Sequence, residues 1–152
     1  SIEIEPNSYQ AHFNHGAVLK DLGRLKKAEL SLRKAIEIKP DLAEAHSNLG
    51  TILQTLGKLE EAEISTRKAI ELQPDFAEAH SNLGTILSKL NHQEKAISSF
   101  KKAIGLKKEN YPAIGGMGHI LLKKGKFKEA LAMLKEGEGF ITFDINKGIS
   151  FN

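Results

Sequence analysis

Apolar residues recur along this chain at helical spacing, with a longer period laid over it. Within 43–74, Leu49, Ile52, Leu53 and Leu56 fall on one stripe and Gly57 interrupts it. Leu59, Ala62, Thr66, Ala69, Ile70 and Leu72 then form a second stripe that stops at Pro74. Spacings of three and four on either side of a glycine predict two helices joined by a tight turn. Proline pushes the residue before it out of helical geometry, so Pro40 and Pro74 close the second helix of a unit. Asp41 and Asp75 stand one or two residues ahead of the next helix, where a carboxylate suits the positive helix terminus.

The hairpin is repeated. The string AEAHSNLGTIL occupies 43–53 and returns unchanged at 77–87, 34 residues on. Alignment at that offset divides the chain into the end of a truncated preceding repeat (1–6), full units at 7–40, 41–74 and 75–108, a degenerate fourth unit (109–138) and a tail (139–152). A lone hairpin cannot bury its own apolar stripe, whereas stacked hairpins bury it continuously. The expected fold is therefore all-α, an α-solenoid of stacked antiparallel helix pairs. Gly16, Gly50, Gly84 and Gly118 share one place in the first helix, and Ala28, Ala62, Ala96 and Ala130 share one in the second. An interior glycine costs roughly 0.5–1 kcal/mol relative to alanine, so its return at one site implies a close helix–helix contact. The opening SIEIEP matches the helix ends AIEIKP (35–40) and AIELQP (69–74), so the chain is expected to begin inside a repeat and to leave apolar surface of its first full unit uncovered.

The Leu-Gly pairs at 49–50 and 83–84, the later alanine and the closing proline resemble the tetratricopeptide repeat over about residues 1–140. His12, His46, His80 and Ile114 replace the family's leading aromatic, His15 replaces its leucine in the first unit, and Lys108 replaces the proline after the third. The resemblance implies a right-handed superhelix whose first helices line an inner groove that binds a protein or an extended peptide. Its walls would carry Phe13, Asn14 and Lys20; Ser47, Asn48, Thr51 and Gln54; Ser81, Asn82 and Thr85; and His119. Asn14, Asn48 and Asn82 occupy one repeat position and would form a ladder of amides. Each amide carries two donors and an acceptor, enough to grip a peptide backbone with little regard to its sequence. Gly116 breaks the ladder in the fourth unit. The alternative is that these amides only cap or contact neighbouring loops. AHSNL with such a ladder is similar to the repeat arm of the O-linked N-acetylglucosamine transferases, whose inward asparagines hold substrate and adaptor chains. That likeness implies a second reading, a recruiting arm of a larger transferase-type enzyme. A third is a self-assembling structural array. A clamp for a C-terminal carboxylate is excluded, because Glu78 and Asn82 stand where it needs Lys and Arg.

Composition narrows the class further. The 152 residues are 40% hydrophobic and 27% charged, with a net charge of +3 and no cysteine. That is globular composition, without a disulfide framework or thiolate metal site, and the charge is too small to argue for nucleic acid. No apolar run reaches membrane length and the start is not a signal peptide, so a cytoplasmic protein without membrane contact is expected. His12, His46 and His80 lie one helix pair apart, too far to share an ion. Arg33-Lys34, Arg67-Lys68 and Lys101-Lys102 form a basic ridge, but Glu29 and Glu63 precede Arg33 and Arg67 by four residues, the spacing of solvated helix-surface pairs. No nucleophile, paired carboxylates or phosphate loop stands out, so neither enzyme activity nor a cofactor is expected. In the tail, Ile141, Phe143 and Ile145 alternate before the turn residues NKG, and Ile149 and Phe151 alternate after them. This pattern reads as a short β-hairpin. With Phe140, these residues are expected to serve self-association.

Overall fold

The computed structural model describes residues 8–137, 141–144 and 148–151. Its helices are α1 (Tyr9–Asp21), α2 (Leu25–Ile38), α3 (Ala43–Thr55), α4 (Leu59–Leu72), α5 (Ala77–Lys89), α6 (Gln93–Leu106), α7 (Tyr111–Lys123) and α8 (Phe127–Gly137). They pack as hairpins α1–α2, α3–α4, α5–α6 and α7–α8, and the second helix of each hairpin meets the first helix of the next. This is the stacked array that the repeat predicts. Two strands follow, β1 (Ile141–Asp144) and β2 (Gly148–Phe151), paired antiparallel with Ile141 opposite Phe151. The stretch 1–6, Phe140 and Ile145 lie outside the described residues.

Each hairpin turns by the same device. Gly23, Gly57 and Gly125 adopt φ of 71°, 79° and 71°, and Asn91 adopts 62° at the equivalent place in the third unit. The left-handed residue lets the chain satisfy carbonyls at the end of the first helix: Lys58 N–H donates to Leu53 C=O at 2.9 Å and Gly57 N–H to Gln54 C=O at 3.1 Å. The same pair of bonds recurs as His92 to Leu87 and Asn91 to Ser88. Asparagine tolerates this conformation better than other residues with a Cβ, which explains its presence there.

The helix starts depart from expectation. The N-caps are Leu42 and Phe76, neither of which makes a side-chain cap bond, so Asp41 and Asp75 lie one residue outside the caps. Only Ser8 and Asn110 accept from a helix N–H, at Ala11 and Ala113. Asn110 also donates to the Ala77 carbonyl at 3.4 Å and so ties the fourth unit to the third.

Packing follows the glycine position. A methyl built on Gly16 would stand 2.8 Å from Leu32, and one on Gly84 would stand 2.5 Å from the Phe100 ring. On Gly50 it would run into Thr66 Oγ1. In each hairpin the backbone of the first helix therefore lies directly against a second-helix side chain, and Leu32, Thr66 and Phe100 are fully buried there. Between units, Glu29 joins the first two. It accepts from Arg33 at 2.9 Å and from Lys58 at 3.1 Å, while Arg33 also reaches Glu61 at 2.7 Å. Burial pulls the Glu29 pKa up, but the hydrogen bonds and charges of Arg33 and Lys58 outweigh it and hold the carboxyl below its ordinary value.

Three stability changes are expected in thermal melts. Gly57→Ala lowers stability by about 1 kcal/mol through backbone strain alone, since nothing lies within 4 Å of the added methyl. Asn91→Gly raises the melting temperature. Glu29→Gln costs about 1 kcal/mol at neutral pH. Because the Glu29 pKa is depressed, its contribution is full above the ordinary value of 4.5 and is lost as pH falls through the lowered one, so wild type and variant converge in acid.

Candidate functional site

First helices of neighbouring units touch one another, α1 with α3, α3 with α5 and α5 with α7, whereas second helices chiefly meet first helices. Elements that approach each other along a stack lie on the inside of its curve. The first helices therefore form the inner face, where the repeat alignment places its candidate residues.

The structure sorts those residues by depth. Asn14 and His119 are exposed, while Phe13, Lys20, Asn48, Thr51, Gln54, Asn82 and Thr85 are half-buried. Ser47 and Ser81 are a correction: they are 2% and 4% exposed, covered by the neighbouring helices, and do not line an accessible groove. Ser47 Oγ has no hydrogen-bond partner, as expected of a hydroxyl serving as a small packing group.

Two amides are coupled across units. Lys20 Nζ donates to Asn48 Oδ1 at 2.9 Å, and since lysine carries only donors the Asn48 oxygen must face it. Asn82 Nδ2 donates to Thr51 Oγ1 at 3.1 Å. The Thr51 hydroxyl is free to accept because it spends its proton on the Ser47 carbonyl at 3.2 Å, and Thr85 does the same toward Ser81. Asn48 is thus left with its amide N–H groups for a ligand. Asn82 is left with its carbonyl oxygen and one N–H. The remaining groups alternate in kind along the face, as the N–H and C=O groups of an extended peptide do.

Gly116 stands where the ladder would continue, and its cause is steric. A methyl there would run into Cζ of Phe100, the ring that also fills the space beside Gly84. The equivalent second-helix residue in the preceding unit is Thr66, small enough to leave room for Asn82.

The histidines at the family's aromatic position have a structural role. Nε2 of His46 donates to the Pro40 carbonyl at 2.8 Å, and Nε2 of His80 to the Pro74 carbonyl at 2.9 Å. Each ring fastens the loop that enters its own helix, and the nitrogen so used is closed to a metal. Among the described residues no three His, Asp or Glu side chains cluster as a metal site would require. No helix among them is long and apolar enough to cross a membrane.

The outer side carries two clefts in the same register, which the periodicity alone does not reveal. One, of about 450 Å³, is lined by Arg33, His46, Ser65 and Lys68 among others, and the second, of about 500 Å³, by Arg67, His80, Ser99 and Lys102. Their cations are largely paired: Arg67 with Glu63 at 2.8 Å and Lys68 with Glu71 at 2.8 Å, as the four-residue spacing suggests for Arg67. The basic ridge is thereby mostly neutralised on the protein itself.

Hairpins stacked so that first helices line an inner face define a helical-repeat solenoid. Two family models match the sequence, one described as TPR repeat over residues 16–57 and one as Tetratricopeptide repeat over residues 41–109. The chain belongs to the tetratricopeptide repeat family. No curated protein gives a significant match. Among solved structures the chain is similar to MamA, with 26% identity and a TM-score of 0.82 over 90% of this chain and 80% of that one. MamA 41-end from Desulfovibrio magneticus RS-1 shares 22% identity at a TM-score of 0.80, over 88% and 75% of the two chains. YrrB, described as a TPR protein with an unusual peptide-binding site, shares 24% at 0.76, over 91% and 73%.

The Phe100 wedge yields a paired expectation. Gly116→Asn alone destabilises the protein by about 1–3 kcal/mol, the usual cost of overpacking. Combining it with Phe100→Thr recovers part of that loss despite the smaller core residue, a coupling that a double-mutant cycle in urea measures directly.

Proposed function

We propose that this protein is a non-catalytic interaction scaffold that holds an extended segment of a partner protein along the inner face of its helix array. The observation that carries the reading is the coupling of Asn48 and Asn82 to residues of the preceding unit, which leaves complementary donors and an acceptor free. Lys20 and Thr51 orient the two amides, so less side-chain freedom is lost on binding than free asparagines would lose. Asn14, Gln54, Thr85 and His119 extend the same face, and Phe13 adds apolar contact. Recognition of this kind addresses the peptide backbone and tolerates varied sequence. The recruiting arm of a transferase-type enzyme would use the same groove, joined to a separate catalytic domain.

The test is selection of binders from a random peptide library on the wild-type chain, followed by titration of several unrelated hits. Asn14→Ala, Asn48→Ala and Asn82→Ala combined should weaken all hits by roughly tenfold or more. The loss should be similar across sequences, with the helical circular dichroism unchanged. Undiminished affinity of the triple variant removes the ladder from the function.

A further inference from the structure

The edge of the first unit differs from every equivalent edge inside the array. Ile52, Ile86 and Ile120 occupy one repeat position and are 0%, 0% and 1% exposed, because each is pressed against the unit before it. Val18 occupies that position in α1 and is 55% exposed. One turn on, Leu22 is 65% exposed, whereas its counterparts Leu56 and Leu90 pack against the apolar core. The other end shows the converse. Leu32, Thr66 and Phe100 are fully buried at one second-helix position, and the contact of Phe100 with Gly116 shows that this position reaches into the following unit. Leu134 holds the same position in α8 and is only half-buried. The two bare edges are therefore the two halves of an interface that the chain builds three times within itself.

We infer that the edge of α1 docks the last helix pair of a second copy of this chain, continuing the solenoid head to tail. The occupant follows from continuity: an edge shaped to the repeat's own register is filled by the repeat's own opposite edge, and a second copy carries it. The same register places exposed His119 of one copy opposite exposed Asn14 of the next, where Thr51 accepts from Asn82 inside the chain. Imidazole offers the acceptor that the threonine hydroxyl offers there. A head-to-tail contact is heterologous, so it grows into open arrays or closes into rings instead of stopping at a dimer. This inference does not depend on peptide binding in the groove, because Val18 and Leu22 lie on the stacking edge.

Sedimentation velocity of the full chain over a concentration series is the test, with Val18→Lys/Leu22→Lys as the variant. Both sites are exposed, so the fold should survive, and circular dichroism checks it. Wild type should sediment as species whose mass rises with concentration, and the variant as monomer. A fluorescently labelled variant, blocked at its head but intact at its tail edge, should nevertheless co-sediment with wild-type assemblies. Wild type that stays monomeric overturns the inference. Association of the variant equal to wild type does so too, pointing instead to the tail with Phe143, Ile149 and Phe151. Exclusion of the labelled variant from wild-type assemblies would mean that two α1 edges pair with each other, and likewise refutes head-to-tail stacking.

Discussion

The whole structure depends on how closely two helices of one hairpin approach. At the glycine of each first helix there is no room for a methyl group, because Leu32, Thr66 or the Phe100 ring already fills the space. That contact sets the depth of every hairpin and hence the pitch at which hairpins stack. It tolerates variation on only one side of the pair. The glycine stays constant while its partner changes from leucine to threonine to phenylalanine, and the surroundings adapt to the change. Gly116 is such an adaptation, a concession on the inner face to a ring in the core behind it.

Pitch in turn decides what the inner face can hold. Amides that recur once per unit are presented at even intervals only if the units are rigidly registered, and three kinds of bond provide that registration. Glu29 with Arg33 and Lys58 spans the first two units, Asn82 with Thr51 spans the second and third, and Asn110 with the Ala77 carbonyl spans the third and fourth. Each uses a partly or largely shielded polar group, where a hydrogen bond is stronger than at an open surface and more costly to leave unmade. The couplings that orient the candidate binding groups thus also contribute to holding the stack.

Much of this architecture is legible in the amino-acid order, because a 34-residue recurrence of glycine, alanine and proline permits few other folds. The places where reading falls short share a cause. Ser47 and Ser81 sit beside Asn48 and Asn82 on a helical wheel, yet they are sealed from solvent by the adjacent hairpin, and depth of that kind is a property of the stack and not of one helix. Asn91 takes the role that glycine has in three other turns, and its only signal is the tolerance of asparagine for left-handed geometry. The histidines at 46 and 80 resemble ligands by type, but their partners are loop carbonyls that no spacing rule identifies. Asp41 and Asp75 have the composition of caps but fall one residue short of the position.

The second helices meet chiefly through the first helices of neighbouring units, and their outer side holds the paired clefts of about 450 and 500 Å³. Such a body is mechanically asymmetric, with a stiff inner seam and a compliant back. Under tension or on engaging a longer cargo, it should uncoil by opening those rear gaps like the pleats of a bellows. The spacing along the seam would change least, so the molecule can lengthen its reach while keeping the interval at which it grips.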